Sequence, residues 1–388
     1  MKRYPRPVFA TALATMMAFL GIGVIDPILP LISHDMGATS AQVELLFTVY
    51  IAIMAVAMLV AGAAATRWGG RRTLLVGLAI VATCALACGF AQSVGELAAI
   101  RGVWGFGNAL FVSTALSLIV GASTGSHEDA ITLYEAALGL GIASGPLVGG
   151  FLGGFGWRYP FFATATFMAL GWIVAYTSVS EPAKREVGRS VKDVLLALRH
   201  PNVLTNALIG LCYSFGFFTI LAYAPLALHL RPLALGWTFF GWGLLVAVSS
   251  VAIVSWLQRF MSAIVLLGID MLAFCALFAA LALAPTTTVS LALIVASGLC
   301  CGIANTLLTT LAIDLSPFSR SISSGAYNFL RWSGGAVAPV LAGVLADRLG
   351  LHAPFAIAAG VVSIAALIVL LRGVSLQRAL VPYAQLSV

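Results

Sequence analysis

Three acids and two arginines lie inside long apolar stretches of the chain: Asp26, Glu135 and Asp270, with Arg101 and Arg331. A charge in hydrocarbon costs about 2.5–3.5 kcal/mol on insertion scales, so such a group faces a cavity, pairs with an opposite charge or holds a proton. Asp26 and Arg101 fall at matching depth. A neighbouring cation and partial burial act on a carboxyl group in opposite senses, and a balance between them suits a residue that loads and releases protons. The pair therefore reads either as a proton site or as a permanent structural ion pair. Glu135 and Arg331 sit at similar depth toward the other face, and read as a second proton site, a cation-substrate contact or a salt bridge closing that mouth. Asp270 reads equally well as function, packing or lipid interface.

Other chemistries lack their parts. The five histidines, His34, His127, His200, His229 and His352, fall in loops or at the ends of apolar stretches, and neither H-E-x-x-H nor G-x-S-x-G occurs, so no enzyme is expected. The phosphate-binding pattern of a nucleotide-driven pump is absent too. Cys84 and Cys88 are one helical turn apart with no further ligand nearby, and all six cysteines read as small apolar residues. No metal and no cofactor is expected.

The elements that hold these residues follow from composition. The chain is 61% hydrophobic and 9% charged, with a mean hydropathy of +1.06, against about 45–50% and about 25% for a soluble domain. Twelve apolar stretches, approximately 8–31, 43–65, 73–92, 95–121, 130–156, 159–179, 203–229, 235–258, 262–284, 288–313, 322–347 and 352–372, match the length that crosses a bilayer as a helix. The first is too long for a signal-peptide core and reads as an anchor. With the N-terminus in the cytoplasm, fifteen of the twenty Lys and Arg residues fall in inner loops and tails and three in outer loops. That bias predicts a multi-pass protein of the inner (plasma) membrane with both termini inside. The net charge of +7 reflects the same bias and contact with anionic lipid, and calls for no nucleic-acid partner. The longest loop is basic and divides the chain into six spans at 1–180, a cytoplasmic linker at 181–202, and six spans with a short tail at 203–388.

An internal repeat matches that division. Gly105-Phe-Gly-Asn108 reads against Gly302-Ile-Ala-Asn305, "SGPLVGGFL" from Ser144 against "VAPVLAGVL" from Val337, and Tyr134-Glu135 against Tyr327-Asn328. Tyr327, Asn328, Arg331 and Gly335 fall at helical spacing, giving one polar stripe. In the fifth stretch, Gly141, Gly145 and Gly149 recur every four residues, a pattern that lets helix backbones touch in lipid, and Pro146 bends the helix. The stretch reads as a close interface, static or sliding.

That glycine stretch resembles the antiporter motif of the major facilitator superfamily, G-x-x-x-G-P-x-x-G-G, with Gly141, Gly145, Pro146, Gly149 and Gly150 in place. Arg101-Gly-Val-Trp-Gly105-Phe-Gly107 is similar to the family's R-x-x-x-G-x-G, and Asp26-Pro-Ile-Leu-Pro30 to the D-x-x-x-P of drug efflux members. Gly62-Ala-Ala-Ala-Thr66-Arg67-Trp-Gly69-Gly70-Arg71-Arg72 resembles the loop signature G-x-x-x-D-R-x-G-R-R, with Thr66 in place of the acid and Gly70 at a basic position. The resemblance implies an all-α membrane protein of twelve helices in two pseudo-symmetric six-helix bundles, rocking about a central site as a proton-coupled exporter of drugs or small amphipathic metabolites. It also implies gating roles for the fifth-span glycines and for the loop containing Gly62, Thr66, Arg67, Gly69, Arg71 and Arg72. In the family an acid at the Thr66 position helps to lock the outward-facing state.

Proton coupling is expected at Asp26, Arg101 and Glu135. Tyr134, Asn108, Tyr213, Tyr223, Asn305, Tyr327, Asn328 and Arg331 are expected at the substrate cavity, with Tyr50 and Phe217 nearby, and suit an amphipathic small molecule. Protons, lipid and that molecule are the expected partners of a monomer. The rival within the same fold is an importer or facilitator of a sugar, amino acid or other small metabolite.

Overall fold

In hydrocarbon every backbone N–H and C=O must find its partner within the spanning segment, so each apolar run closes its hydrogen bonds as a helix. The computed structural model describes residues 6–122, 127–179, 191–318 and 320–384. Its helices are α1 (Arg6–Gly23), α2 (Leu29–Met36), α3 (Ser40–Trp68), α4 (Gly70–Cys88), α5 (Val94–Ala122), α6 (His127–Gly153), α7 (Tyr159–Ser178), α8 (Val191–Ala197), α9 (Pro201–Phe218), α10 (Ala224–Leu228), α11 (Pro232–Val248), α12 (Val254–Leu257), α13 (Ala263–Ala282), α14 (Thr287–Asp314), α15 (Arg320–Leu349) and α16 (Ala353–Ala384). There is no strand among the described residues. Among the described residues, ten helical runs are long and apolar enough to cross a membrane, and Ala137–Gly153 adds a shorter one. α5, 29 residues long, carries Glu96, Arg101 and Asn108 within its length.

Three spans are interrupted. A 3₁₀ turn at Asp26–Ile28 separates α1 from α2, and π-helical turns at Thr219–Tyr223 and Ser249–Ile253 join α9 to α10 and α11 to α12. The first break follows from sequence: Gly23 ends α1, and Pro27 and Pro30 supply no backbone N–H to continue its ladder. The expected first span at 8–31 thus becomes a broken helix that ends at Met36. α3 starts from a capping box, in which Thr39 Oγ1 accepts from Gln42 N at 3.3 Å while Thr39 N donates to Gln42 Oε1 at 3.0 Å.

Helices whose outward faces are apolar have lipid for a solvent. Leu367, Leu370, Leu371 and Val374 of α16 are exposed, as are Val56 and Val60 of α3. Inside, α3 packs against α5 and α15, α6 against α1 and α11, and α9 against α15 and α16. The expected linker at 181–202 is partly helical: Val194 and Ala197 of α8 bury with Val203 and Ala326, against Leu59 of α3 and Ile322 of α15.

Glycine contacts bear out the repeat. A Cβ at Gly105 of α5 would collide with Tyr50 O of α3, and one at Gly302 of α14 with Val246 O of α11. Likewise Gly141 of α6 lies against Met16 O of α1, and Gly334 of α15 against Leu211 O of α9. Each pair uses the equivalent helix of its own half of the chain.

Candidate functional site

At the predicted outer end the parts before and after the linker meet at backbone distance. A Cβ at Gly343 of α15 would be 2.7 Å from Ala41 Cα of α3. Val340 N donates to Thr48 Oγ1 at 3.3 Å. On the other side α6 and α11 form a second line of close approach, where Cβ positions fall 2.6 Å from Ala143 Cα for Gly243, 2.8 Å from Pro146 O for Gly236, and 2.9 Å from Gly236 Cα for Gly150. The glycine stretch therefore serves two interfaces. Gly141 and Gly145 face α1 and Gly149 faces Val24 just beyond it, with Gly145 Cβ 2.5 Å from Leu20 O, while Gly150 and Ala143 face α11. Pro146 does both, since its ring lies 2.8 Å from the Cβ position of Gly23 and its carbonyl faces Gly236. The spacing of the glycines predicted the closeness, but not this split.

Asp26 is fully buried in the 3₁₀ turn, and neither carboxylate oxygen has a hydrogen-bond partner. Arg101 of α5 is fully buried as well. Its Nε donates to Leu46 O at 3.3 Å. Its guanidinium lies 4.3 Å from the ring centre of Tyr50, 4.9 Å from that of Trp104 and 5.8 Å from that of Phe47. Neither Nη1 nor Nη2 is hydrogen-bonded. Aromatic faces hold this cation by their quadrupoles. Asp26 and Arg101 interact electrostatically, without the direct contact that a permanent ion pair requires. Beside them Asn108 Nδ2 donates to Tyr50 OH at 2.6 Å, and Asn108 Oδ1 is left unpartnered.

A fourth intramembrane acid is not evident from the sequence. Glu44 of α3 is 0% exposed, both its oxygens lack partners, and it interacts electrostatically with Asp26. Five residues into a helix that opens Ser-Ala-Gln-Val-Glu, it looks like an ordinary solvated acid at a helix N-terminus. It is enclosed once α3 packs into the bundle, where α3 lies against α15.

The other polar group lies along α14 and α15. Arg331 Nη2 donates to Asn305 Oδ1 at 2.6 Å, and its guanidinium lies 5.4 Å from the Trp332 ring centre and 5.9 Å from those of Tyr213 and Tyr327. Arg331 and Asn328 are half-buried, and Asn328 Nδ2 donates to Ser324 Oγ at 3.2 Å. Tyr213 is buried with its hydroxyl on Cys301 O at 2.8 Å. Phe217 is buried between Tyr213 and Trp242. Tyr223, expected at the cavity, is instead packed at the predicted outer end, where its hydroxyl donates to Leu351 O at 2.8 Å. Tyr223 is the last residue of the π-helical turn Thr219–Tyr223. Asp270 is buried rather than facing lipid, with its carboxyl group on Cys300 of α14. The side chains of Tyr134 and Glu135 lie outside the described residues, and so does the opposition of Glu135 to Arg331.

In the loop signature, Gly62 and the Thr66 side chain are also outside the described residues. Arg67 and Arg72 are exposed. Gly69, at φ 89°, makes the turn between α3 and α4 in a region that favours glycine. Arg71 ties that turn to the end of α7: Nε donates to Val179 O at 2.7 Å, Nη2 to Tyr176 O at 2.6 Å, and the guanidinium lies 5.2 Å from the Tyr176 ring centre.

A recess of about 520 Å³ between α6, α7 and α11 is lined by Leu147, Val148, Phe151, Leu152, Phe167, Leu233 and Trp237. With no polar group in its wall, it offers nothing to orient a substrate.

Helices broken and packed through glycine, with ionisable side chains held inside the bundle, are the parts of a membrane transporter rather than of an enzyme. The chain belongs to the major facilitator superfamily, whose sequence profile, "Major Facilitator Superfamily", matches residues 11–339, with a further match at 226–383. It is 40% identical over 373 residues to the multidrug efflux protein YfmO of Bacillus subtilis (strain 168), covering 95% of this chain and 93% of that one. A tetracenomycin C resistance and export protein of Streptomyces glaucescens is 31% identical over 48% of this chain and 35% of its own. Among solved structures, an inward-facing, unoccupied bacterial homologue of the human lysosomal transporter Spinster superposes with a TM-score of 0.75 at 17% identity, over 97% of each chain. The human organic anion transporter MFSD10 gives 0.74 at 17% identity, over 94% of this chain and 99% of that one.

Proposed function

We propose that the protein is a proton-coupled drug efflux antiporter of the cytoplasmic membrane, with both termini in the cytoplasm. It works as a monomer by rocking residues 1–180 against residues 203–388. The observation that carries the reading is Asp26, a buried carboxyl group without a hydrogen-bond partner at a break in the first span, near an arginine held by aromatic rings instead of by an acid. The break frees Asp26 from the regular helix, and the caged Arg101 supplies a fixed positive charge that stabilises the carboxylate once its proton leaves. Export of a drug is supported by the relative that is 40% identical over nearly the whole chain.

Substrate contacts are assigned to Arg331, Asn305, Tyr327 and Asn328, a polar stripe with aromatic faces that suits an amphipathic organic molecule. Loading a proton at Asp26 from the outer side favours the state closed at the outer end, and releasing it inward prepares the protein to take substrate.

The test uses purified protein in liposomes with an imposed pH gradient and a panel of lipophilic cations, neutral drugs and sugars. Antiport drives a drug uphill toward the acidic side, and Asp26→Asn abolishes that movement while leaving downhill exchange measurable. Uphill transport retained by Asp26→Asn removes Asp26 from the mechanism. Substrate moving in the direction of the protons makes the protein an importer, and transport indifferent to the gradient makes it a facilitator.

A further inference from the structure

Glu44 has no part in the antiport mechanism built on Asp26. It stands one helical turn beyond the capping box of α3, at the level where Ala41 and Thr48 of the same helix touch Gly343 and Val340 of α15. It is thus on the seam that joins the two parts of the chain at the predicted outer end. It is 0% exposed and neither oxygen has a partner.

The charged and titratable groups on the elements packed around it offer no compensation. From the α1–α2 turn comes Asp26 and from the π-helical turn after α9 comes Tyr223, and these two interact with Glu44 electrostatically. Arg101 of α5 is turned toward Leu46 O and its aromatic cage. Glu96 of α5 accepts from Gln92 N at 2.9 Å, and His34 and Asp35 of α2 pair with each other. Asp347 and Arg348 of α15 are exposed, Cys84 and Cys88 of α4 are thiols, and Lys192 and Asp193 of α8 lie at the opposite end.

A negative charge buried without a protein donor or cation is strongly disfavoured, and a second carboxyl group nearby makes it more so. The closed seam therefore has room for the acid but not for the carboxylate. We infer that Glu44 is a proton-operated latch on the outer seam. Protonated from the outer side it lets α3 and α15 close over it; deprotonated, it holds them apart by keeping its water. The proton on Glu44 is taken up and returned on the same side, so it sets which state the protein occupies without adding to the protons carried through Asp26. This role rests on the antiport reading for its use to the cell, but the latch itself is defined without substrate or gradient.

The test reads the seam directly. Spin labels at Gly95→Cys, where a side chain has open space, and at exposed Leu349→Cys report the outer mouth by electron–electron distance in nanodiscs, the six native cysteines being buried or half-buried. The protein with Glu44 intact shifts from long toward short distances as the buffer goes from mildly alkaline to mildly acid. Glu44→Gln stays short at both, Glu44→Asp keeps the shift, and Asp26→Asn keeps it too. An unchanged distribution with Glu44 intact overturns the latch outright, whether or not any variant folds. A full pH shift in Glu44→Gln, or long distances in it at both pH values, overturns it as well. A shift lost only in Asp26→Asn transfers the switch to Asp26. Failure of gradient-driven drug movement in liposomes leaves these distances untouched, so the two readings fail separately.

Discussion

A methyl group added at Gly243 would lie 2.6 Å from Ala143 Cα and 3.1 Å from Ala143 N and Cβ. Favourable carbon contacts begin at about 3.5 Å, so α6 and α11 must part by close to ~1 Å at that level. The obstructing atom is backbone, which has no alternative rotamer. Overpacking of this kind costs about 1–3 kcal/mol. The cost falls only on the state in which the two helices touch, so Gly243→Ala moves the balance away from the closed seam by about fivefold to about 150-fold, at tenfold per about 1.4 kcal/mol. The same pair of spin labels measures it, as growth of the long-distance population at constant pH. Gly145→Ala is the control, because that methyl meets Leu20 O and Gly23 Cα of α1, which lies before the linker as α6 does. There the expected result is a lower Tm with unchanged distances. A Gly243→Ala protein with a lowered Tm and the unaltered distance distribution would refute the view that α6 and α11 separate during transport.

Arg101→Lys keeps the charge but gives up the flat guanidinium over Tyr50 and Trp104, and proton-driven drug movement in liposomes should fall by at least about tenfold with expression intact. Rates equal to those of the unmodified protein would remove the aromatic cage from the mechanism. Arg71→Ala loses two charge-assisted hydrogen bonds between the α3–α4 turn and α7, each worth about 1.5–3 kcal/mol when buried and less at this partly exposed place. A melting experiment should report a lower Tm, and an unchanged one would mean that the turn is held by other contacts.

Charges in apolar runs announce themselves, which is why Asp26, Arg101 and Arg331 were legible from sequence. Glu44 was not, because an acid near a helix start is ordinary and only tertiary packing buries it. The glycine spacing predicted close packing, but periodicity names a face of a helix and not its partner; two adjacent faces of α6 turned out to meet α1 and α11. Tyr223 was misassigned for a related reason. Periodicity gives no depth either: ten residues beyond Tyr213, Tyr223 lies about 15 Å further along the helix, where its hydroxyl reaches Leu351 O.

Those wide turns have a consequence for chain length. A π-helical turn accommodates one residue more than the α-helix around it, and each added residue rotates the downstream part of the helix by about 100°. The turns at Thr219–Tyr223 and Ser249–Ile253 therefore act as single-residue insertions in the seventh and eighth spans. Because the wide turn absorbs the extra residue, deleting one residue from either stretch would restore a regular helix with α10 or α12 still on its present face, whereas a deletion from a regular part of the same span would exchange buried side chains for lipid-facing ones. These two stretches are thus places where the span can lose one residue without re-facing the helix that follows.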